Sequence, residues 1–599
     1  MSPRDEYEVR LRDRRATVDG LARRAADLSR ARSWTFVAAI VLLFLGFDFH
    51  MVPRWLVVLP LAAFAVLVAM HQRTRRAERI AARSVRFYEA GLARLDHAFV
   101  GKGVTGERFL DAAHPYAADL DLFGRGSLFE LLCTARTQMG ETTLASWLLA
   151  PASAADVAAR QEAITELAPR LDLREEIALL GEDVRGAVDA GSLTHWAAEP
   201  VWHPTAAERG LALAFPAVTI LLFAAWDLGW LAALGAFAAW PMIAAAAAQT
   251  AFALRLRPRV LVALRRATQP AVHLALLSDL LVRLERERFR ADRLTALQAE
   301  VQSAGEPPSR RIARLQRLIN LLDAYRNQVF ALVSFALLWR TNFALAIERW
   351  HAISGPAVPR WLAAIGELEA LLALASHACE HPTDVFPEIV DGPPVVEGTR
   401  LGHPLLPIER CVRNDLRLGA GHGVLIVSGS NMSGKSTLLR TVGVNVVLAL
   451  AGATVRADRL RLTPLAVGAA IRITDSLQDG TSRFYAEVKR LSQIVDVSRG
   501  ALPLLFLLDE ILSGTNSHDR AIGAEAIVKT LAANGGIGLV TTHDLALARI
   551  ADALGDAAAN VHFEDHLEDG RMCFDYTMRP GVVTKSNALA LMRAVGLEV

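Results

Sequence analysis

Between Val424 and Thr437 the chain reads Val-Leu-Ile-Val-Ser-Gly-Ser-Asn-Met-Ser-Gly-Lys-Ser-Thr. This is an apolar strand, a G-x-x-x-x-G-K-[ST] loop and the opening of a helix, and that context separates a phosphate loop from a chance glycine turn. Across Gly429, Ser430, Asn431, Met432, Ser433 and Gly434 the backbone can wrap a phosphate chain, because glycine permits close approach and successive N–H groups aim inward. Lys435 is placed to reach the β- and γ-phosphates, and the Ser436 hydroxyl, followed by Thr437, to ligate Mg²⁺. Lysine is scarce here (Lys102, Lys435, Lys489, Lys529 and Lys585 are all there are), so an incidental lysine at that position is the weaker reading. The chemistry expected is nucleotide binding, with ATP and Mg²⁺ as ligands.

The rest of such a site requires carboxylates at a neighbouring strand end. Leu504-Leu-Phe-Leu-Leu-Asp509-Glu510 is a short apolar run ending in two acids, which suits a buried parallel strand with its acids at the carboxyl end. Asp509 is expected to hold Mg²⁺, usually through water, and Glu510 to orient or deprotonate the attacking water. A further run, Ile537-Gly-Leu-Val-Thr-Thr-His543-Asp544, again ends in polar groups. Taken alone, a strand-end histidine is more often structural. Behind the two preceding motifs, His543 reads as a γ-phosphate sensor.

Between these lies Asp475-Ser-Leu-Gln-Asp-Gly480-Thr-Ser482-Arg-Phe484-Tyr-Ala-Glu487. Its Gly-x-Ser-x-Phe-x-x-Glu pattern, together with Ser-Asn-Met-Ser-Gly-Lys-Ser in the first loop, resembles the ATPase domain of the MutS family. Asp509-Glu-Ile-Leu-Ser-Gly514-Thr515-Asn516 and the tail Met578-Arg-Pro580-Gly581-Val-Val-Thr-Lys585-Ser586 are similar to later motifs of that family, in the same order. The resemblance implies that Ser482 contacts the γ-phosphate held by another subunit, so that two ATPase domains face each other in a homodimer. It extends upstream through Ser127–Gly140, with Leu144, Trp147, Leu148 and Pro151, then Arg160–Ile164, which look like the start of the family's core-and-lever region. Gly402-His403-Pro404-Leu405 resembles the lead into its ATPase domain. No counterpart of the family's N-terminal mismatch-reading module is expected, because the residues before Ser127 read differently.

Those residues read as membrane. Trp34–Phe49 and Trp55–Met70 are almost wholly apolar around a turn with Asp48, His50 and Arg54; Leu211–Trp226 and Leu228–Ala248 repeat the arrangement around Asp227 and Gly229. The legs of the first pair are shorter than the about 20 residues of a usual span, so local thinning or re-entrant hairpins are expected rather than tilt. Buried core helices are the competing reading. Against it stand the paired spacing and arginine flanks: Arg24, Arg30 and Arg32 before the first pair, Arg73, Arg75, Arg76 and Arg79 after it, and Arg255, Arg257 and Arg259 after the second. Such flanks mark the cytoplasmic side, and Trp34, Trp55, Trp226 and Trp230 suit the interfacial belt. A multi-pass protein of the inner or plasma membrane with its ATPase domain in the cytoplasm is expected. The charged lead is too long and too acidic for a cleavable signal.

Composition agrees with a chain that is part membrane and part water-exposed: 599 residues, 52% hydrophobic, mean hydropathy +0.27, yet 21% charged. A net charge of +2 gives no global signal for nucleic acid. Cys133, Cys379, Cys411 and Cys573 are scattered without metal spacing, so reduced thiols are expected. Arg10–Arg32 and Arg79–Leu95 read as helix. Val260–Leu374 is long-helical and broken at Gly305-Glu-Pro307-Pro308, and its arginines from Arg283 to Arg317 fit a solvated face of i,i+4 pairs better than a DNA-backbone contact. Phe330–Trp339 is too short to span and reads as core. Pro- and Gly-rich Ser376–Leu416 marks the boundary into the last domain.

The expected fold is therefore multidomain. A cytoplasmic helical N-terminus (1–33), a first transmembrane hairpin (34–70) and a helical region with a MutS core-like start (71–210) come first. A second hairpin (211–250), a lever-like helical region (251–380) and an α/β P-loop NTPase domain of ABC type (381–599) follow. The expected function is ATP binding and hydrolysis by a membrane-anchored dimer. DNA enters as partner through the resemblance, as mismatch, damage or structure sensing. The alternative is a membrane ATPase switch or scaffold acting on protein or lipid without DNA. An ABC half-transporter is disfavoured, because only four apolar legs are present and Asp479-Gly-Thr-Ser482-Arg stands where a Leu-Ser-Gly-Gly-Gln signature would.

Overall fold

The computed structural model describes residues 2–49, 51–302, 305–323, 331–419, 421–430, 432–472, 483–543, 550–568 and 571–582. Helices fill the first two thirds: α1 (Pro3–Phe47), α2 (Val58–Leu95), α3 (Leu128–Leu132), α4 (Gln138–Leu149), α5 (Ala154–Leu167), α6 (Leu171–Val184) and α7 (Ala190–Ala198) come first. They continue as α8 (Ala206–Asp227), α9 (Trp240–Arg286), α10 (Asp292–Gln302), α11 (Pro308–Asp323), α12 (Ala331–Ala336), α13 (Trp339–Ser354) and α14 (Val358–Glu380). The remainder mixes strands and helices: β1 (Glu388–Ile389), β2 (Val396–Leu401), β3 (Asn414–Leu418), β4 (Val424–Ser428), α15 (Lys435–Ala451), β5 (Arg459–Leu462) and β6 (Ala466–Ala470). Then follow α16 (Arg483–Val497), β7 (Leu504–Asp509), α17 (Ser517–Ala533), β8 (Ile537–Thr542), α18 (Ile550–Leu554), β9 (Ala558–Glu568) and β10 (Arg571–Pro580).

The chain forms two units that interleave in sequence: Met1–Thr134, Leu144–Leu179 and Leu371–Val599 make one, and Ala135–Thr143 with Leu180–Ala370 the other.

In the first unit β9, β4, β8, β7 and β6 lie parallel in that order, with β10 antiparallel on the β9 edge. All five residues of β4 and all six of β8 are buried, which explains their unbroken apolar character: a parallel sheet covered on both faces has no wet side to alternate toward. A second sheet, β1-β5-β2-β3, is mixed. Helix α1 starts at a capping box between Ser2 and Asp5, with Pro3 inside the first turn, and runs unbroken to Phe47. No structural break separates the charged lead from the apolar leg at 33/34. α2 returns alongside, and the rings of Phe36 and Phe64 meet at 5.7 Å. At the other end Tyr7, Leu11, Phe87 and Tyr88 form a core with Leu171 and Ala178.

Polar groups fasten that base. Glu380, at the end of α14, accepts from Tyr7 Oη (3.2 Å) and from Arg94 Nε (2.8 Å). Glu175 on α6 accepts from Tyr88 Oη (2.6 Å) and Arg14 (2.9 Å). Burial raises the Tyr7 and Tyr88 hydroxyl pKa values, so both remain donors.

The second unit is helical. α8 begins at a Thr205–Glu208 capping box and ends at Asp227. The expected second leg from Leu228 is not one helix: a turn and a 3₁₀ segment with positive φ at Gly235 occupy the stretch to Phe237, and α9 begins only at Trp240. α9 then runs to Arg286, past the apolar part. The break at 305–308 lies between α10 and α11 as expected; another lies between α9 and α10.

Among the described residues, four segments are long and apolar enough to cross a membrane by length and composition. In Pro3–Phe47, Arg54–Leu95 and Ala206–Asp227 only 6–11% of the apolar window is buried, whereas in Trp339–Glu380 it is 78%. The last is core; the first three present their apolar faces outward. The four cysteines are unbridged.

Candidate active site

The glycine loop follows β4 and turns into α15. Gly429 (φ 152°) and Gly434 (φ 106°) hold the turn where a side chain would collide: a Cβ at 429 meets Ser433 Oγ at 2.8 Å, and one at 434 meets the Tyr576 ring at 3.1 Å. Between them Met432 adopts φ 70° and projects into solvent. Asn431 lies outside the described residues. Among the described residues no side chain caps the start of α15. Its first N–H groups therefore face the loop with their partial positive charge uncommitted to a side chain.

Lys435 is 5% exposed, and its ammonium donates to Gly429 O (2.8 Å) and Ser430 O (2.9 Å). The hydroxyls of Ser430 and Ser433 are buried without a hydrogen-bond partner among the described residues. Buried hydroxyls normally find partners, so two orphans beside a buried ammonium and an open helix start mark a cradle shaped for an anion. Ser436 and Thr437 face the same cavity, which measures about 1010 Å³.

The carboxylates arrive from β7. Register pairs Asp509 with Thr541 on β8, and the Thr541 hydroxyl donates to Asp509 Oδ1. Glu510 N–H donates back to Thr541 Oγ1 (3.0 Å). Glu510 itself sits at φ 46° and Leu512 at φ 58°, a left-handed turn that non-glycine residues avoid unless their surroundings enforce it. Here Leu512 N–H donates to the buried carboxylate of Glu487 on α16, and that contact holds the turn. The result aims Glu510 into the cavity, with Oε1 3.5 Å from Lys435 Nζ and Oε2 3.4 Å from His543 Nδ1. Lys435, Ser436, Asp509, Glu510 and His543 thus meet at the carboxyl ends of β4, β7 and β8, where open parallel sheets bind ligands. Ser482 lies outside the described residues.

Several wall residues had no signal in the sequence. Asn414 Nδ2 donates to Tyr576 O (3.0 Å) and its Oδ1 accepts from Met578 N–H (2.7 Å), which fixes the β10 backbone beside the loop. Arg410 and Val412 also line the cavity. Thr541 was visible only as part of a polar strand end.

The loop helix is held from behind. Gly443 lets Leu120 approach so closely that a Cβ would lie 2.6 Å from its side chain, and Arg440 Nε donates to Asp119 O (3.1 Å). Asp119, whose pKa burial raises, accepts from Ile471 and Arg472 N–H. Farther along α15, Asn445 Oδ1 accepts from Arg456 N–H (2.8 Å). The Arg456 guanidinium grips Asp384 (3.2 Å), and both side chains are fully buried. His377 and His381 complete a cluster with Asp384 whose ligand atoms lie within 4.8 Å of one another. Arg456 already supplies the positive charge that Asp384 requires, which disfavours a dication in the same buried place.

A parallel α/β domain, with a glycine loop after its central strand β4 and two carboxylates at the end of β7, two strands away across β8, is the class that fold and site define. Residues 425–598 match MutS domain V. Two proteins of Halobacterium salinarum are similar to this chain: DNA mismatch repair protein MutS 1, 35% identical over 239 residues (39% of this chain, 27% of that protein), and DNA mismatch repair protein MutS 2, 34% identical over 265 residues (43% and 29%). Endonuclease MutS2 of Thermus thermophilus is 35% identical over 200 residues (33% and 26%). The resemblance to MutS-family proteins thus lies in the C-terminal domain of the chain. The matched stretch spans between 26% and 29% of the length of these relatives.

Proposed function

We propose that the protein is a membrane-anchored, dimeric P-loop ATPase of ABC type, which binds ATP in the Gly429–Thr437 loop and uses its hydrolysis to switch the helical regions. The observation that carries this reading is the buried Lys435 ammonium. It rests on two loop carbonyls beside the unpartnered hydroxyls of Ser430 and Ser433, with Glu510 3.5 Å away. A phosphate chain would take over the ammonium and the orphan hydroxyls together. Ser436 and Asp509 would hold Mg²⁺, which supplies charge neutralisation at the phosphates when bound. Glu510, freed from Lys435 as phosphate takes its place, orients a water and receives its proton, and His543 steadies Glu510 from the other oxygen. By family resemblance, Ser482 acts on the γ-phosphate of the opposite subunit.

The membrane part rests on the outward apolar faces of Pro3–Phe47, Arg54–Leu95 and Ala206–Asp227. With Trp34 and Trp55 at the ends of the first apolar pair and arginines beneath it, the ATPase domain sits on the cytoplasmic side of the inner or plasma membrane. DNA is the partner by analogy with the mismatch repair proteins named above. One observation favours the alternative of a protein or lipid partner. In the arginine-rich stretch, Arg283 pairs with Glu287, Arg293 with Glu367 (2.5 Å) and Arg314 with Glu306 (3.0 Å), so part of the charge that phosphate backbone would need is already committed.

Equilibrium ATP binding to the full chain in detergent tests the core of the proposal. Lys435→Ala removes a charge-assisted contact worth about 1.5–3 kcal/mol, so affinity should fall by roughly 10- to 150-fold. Undiminished ATP affinity in that variant would remove the loop from the site. Filter binding of duplex, mismatched and branched DNA across a salt series separates the two partner readings, since phosphate contacts give a steep salt slope.

A further inference from the structure

The hairpin of α1 and α2 has three zones, and the middle one carries six arginines without a partner among the described residues. Its outer zone is apolar and exposed: Trp34 is 74% exposed, Trp55 64%, and Phe36, Ile40, Phe44 and Val66 point outward with them. Its base is charge-matched, with Arg4 on Asp96, Arg15 on Glu89 and Arg14 on Glu175. Between them, residues 21–33 of α1 lie beside residues 71–80 of α2. The Phe36–Phe64 contact above and the Arg15–Glu89 contact below fix this alignment. The two stretches hold eight arginines and two acids, Asp27 and Glu78. Asp27 takes Arg30 and Glu78 takes Arg75. Arg23, Arg24, Arg32, Arg73, Arg76 and Arg79 make no ion pair or side-chain hydrogen bond among the described residues. All but Arg32, which is half-buried, are exposed.

We propose that this collar binds the phosphate groups of anionic phospholipids at the cytoplasmic face of the bilayer in which the hairpin stands. The inference rests on the membrane reading above and adds a lipid class to it. The position fits. The first arginine falls two residues before Trp34, where the apolar surface begins, and the collar spans about 14 Å of helix from Arg32 to Arg23 at 1.5 Å per residue. That covers a headgroup layer of about 5–7 Å and the adjoining water. The charge fits as well: clusters of four to eight arginines next to an apolar anchor attract anionic lipid, each contributing about a fivefold preference near the surface. The planar guanidinium pairs two N–H donors with one phosphate, so the contact is more than diffuse attraction. Surface arginines that served only solubility would be expected to find acids, as those at the base of the same hairpin do.

The test reconstitutes the full chain into phosphatidylcholine vesicles containing either brominated phosphatidylglycerol or brominated phosphatidylcholine. Quenching of tryptophan fluorescence, taken as the difference between the parent and a Trp34→Phe variant, then reports which lipid surrounds Trp34. The expected result is a preference for phosphatidylglycerol of tenfold or more that weakens with salt. In the combined variant Arg24→Gln, Arg32→Gln, Arg73→Gln and Arg76→Gln, which leaves Arg23 and Arg79, the preference should fall by at least fivefold. Lysine at the same four positions should keep most of it, which separates loss of charge from loss of fold. Equal quenching by the two lipids in the parent protein would overturn the collar while leaving the membrane reading intact. Quenching by neither would overturn the membrane reading itself. A short DNA duplex that abolished the phosphatidylglycerol preference, and bound the parent but not the glutamine variant, would reassign the collar to nucleic acid.

Discussion

Glu510→Gln separates binding from chemistry at this site. The change keeps the side chain's size and its φ 46° turn, since Glu510 N–H and Leu512 N–H retain their partners at Thr541 and Glu487. It removes one negative charge placed 3.5 Å from Lys435 Nζ and 3.4 Å from His543 Nδ1. Two effects on ATP affinity oppose each other. Lys435 loses a partner, which matters little once phosphate replaces it. The phosphate chain loses a repelling carboxylate, worth about 3 kcal/mol at 5 Å for an effective dielectric near 20, before screening. Glu510 is about one-third exposed, at 31% of its side chain, so that figure shrinks to about 1 kcal/mol and affinity should stay level or tighten up to about fivefold. The chemical step loses its proton acceptor, which contributes about 10²–10⁴-fold in rate. Single-turnover phosphate release measured beside equilibrium ATP binding reads both quantities on one preparation. Release within tenfold of the parent rate, with binding intact, would show that Glu510 is not the group acting on water.

Three further outcomes follow from the same geometry. Mixing a Lys435→Ala chain with a Ser482→Ala chain should restore part of the hydrolysis each lacks alone, because a mixed dimer keeps one intact composite site; no rescue in mixed dimers demonstrated by affinity tags would place each site within one chain. Single cysteines at Asp48 or Asp227 should react with an impermeant thiol reagent added outside intact cells, and cysteines at Arg75 or Arg257 should not; the reverse pattern would invert the topology. His403 is buried and its pKa is lowered to about 4, against about 6.5 in the unfolded chain. The unfolded state therefore takes up the proton first as pH falls. Stability should drop by at most about 3 kcal/mol between pH 6.5 and 4 and then level off. His403→Gln should flatten that part of a denaturation-midpoint series, and an unchanged slope would assign it to the other buried histidines, His377 and His381, whose pKa values burial also lowers.

How much of this was legible in the sequence depended on how local the determining physics is. The loop from Gly429 to Thr437 and the acids Asp509 and Glu510 are written in contiguous residues, because a strand must end where its ligand-binding groups begin. The outward apolar character of α1, α2 and α8 is legible for the same reason. What could not be read depends on distant partners. Tyr7 and Glu380 are 373 positions apart, and nothing in either neighbourhood announces the other. Asn414 reads as a loop residue until β10 arrives beside it. Leu228–Ala248 looks like one helical leg because it is apolar throughout, but glycines at 229 and 235 take positive φ and delay the helix to Trp240. The interleaving of the two units was equally hidden, since composition records what a segment is made of and not what it packs against.

The end of α14 gathers two sets of contacts within a few residues. Asp384 is gripped by Arg456, which is tied to Asn445 on the loop helix; Glu380 is gripped by Tyr7 and Arg94 at the foot of the long hairpin. Both joints are buried and polar, so they resist stretching and transmit rotation, as an apolar contact free to slide would not. α1 is a single rod of 45 residues, about 68 Å long at 1.5 Å per residue, fastened over its first turns, where any pivot would lie. A tilt of about 5° at that pivot carries the far end through an arc of about 6 Å, more than one helical turn. Sub-ångström resettling around the phosphates would thus be geared up along a rigid arm, and the outermost residues of the hairpin, those farthest from the nucleotide, would travel the greatest distance.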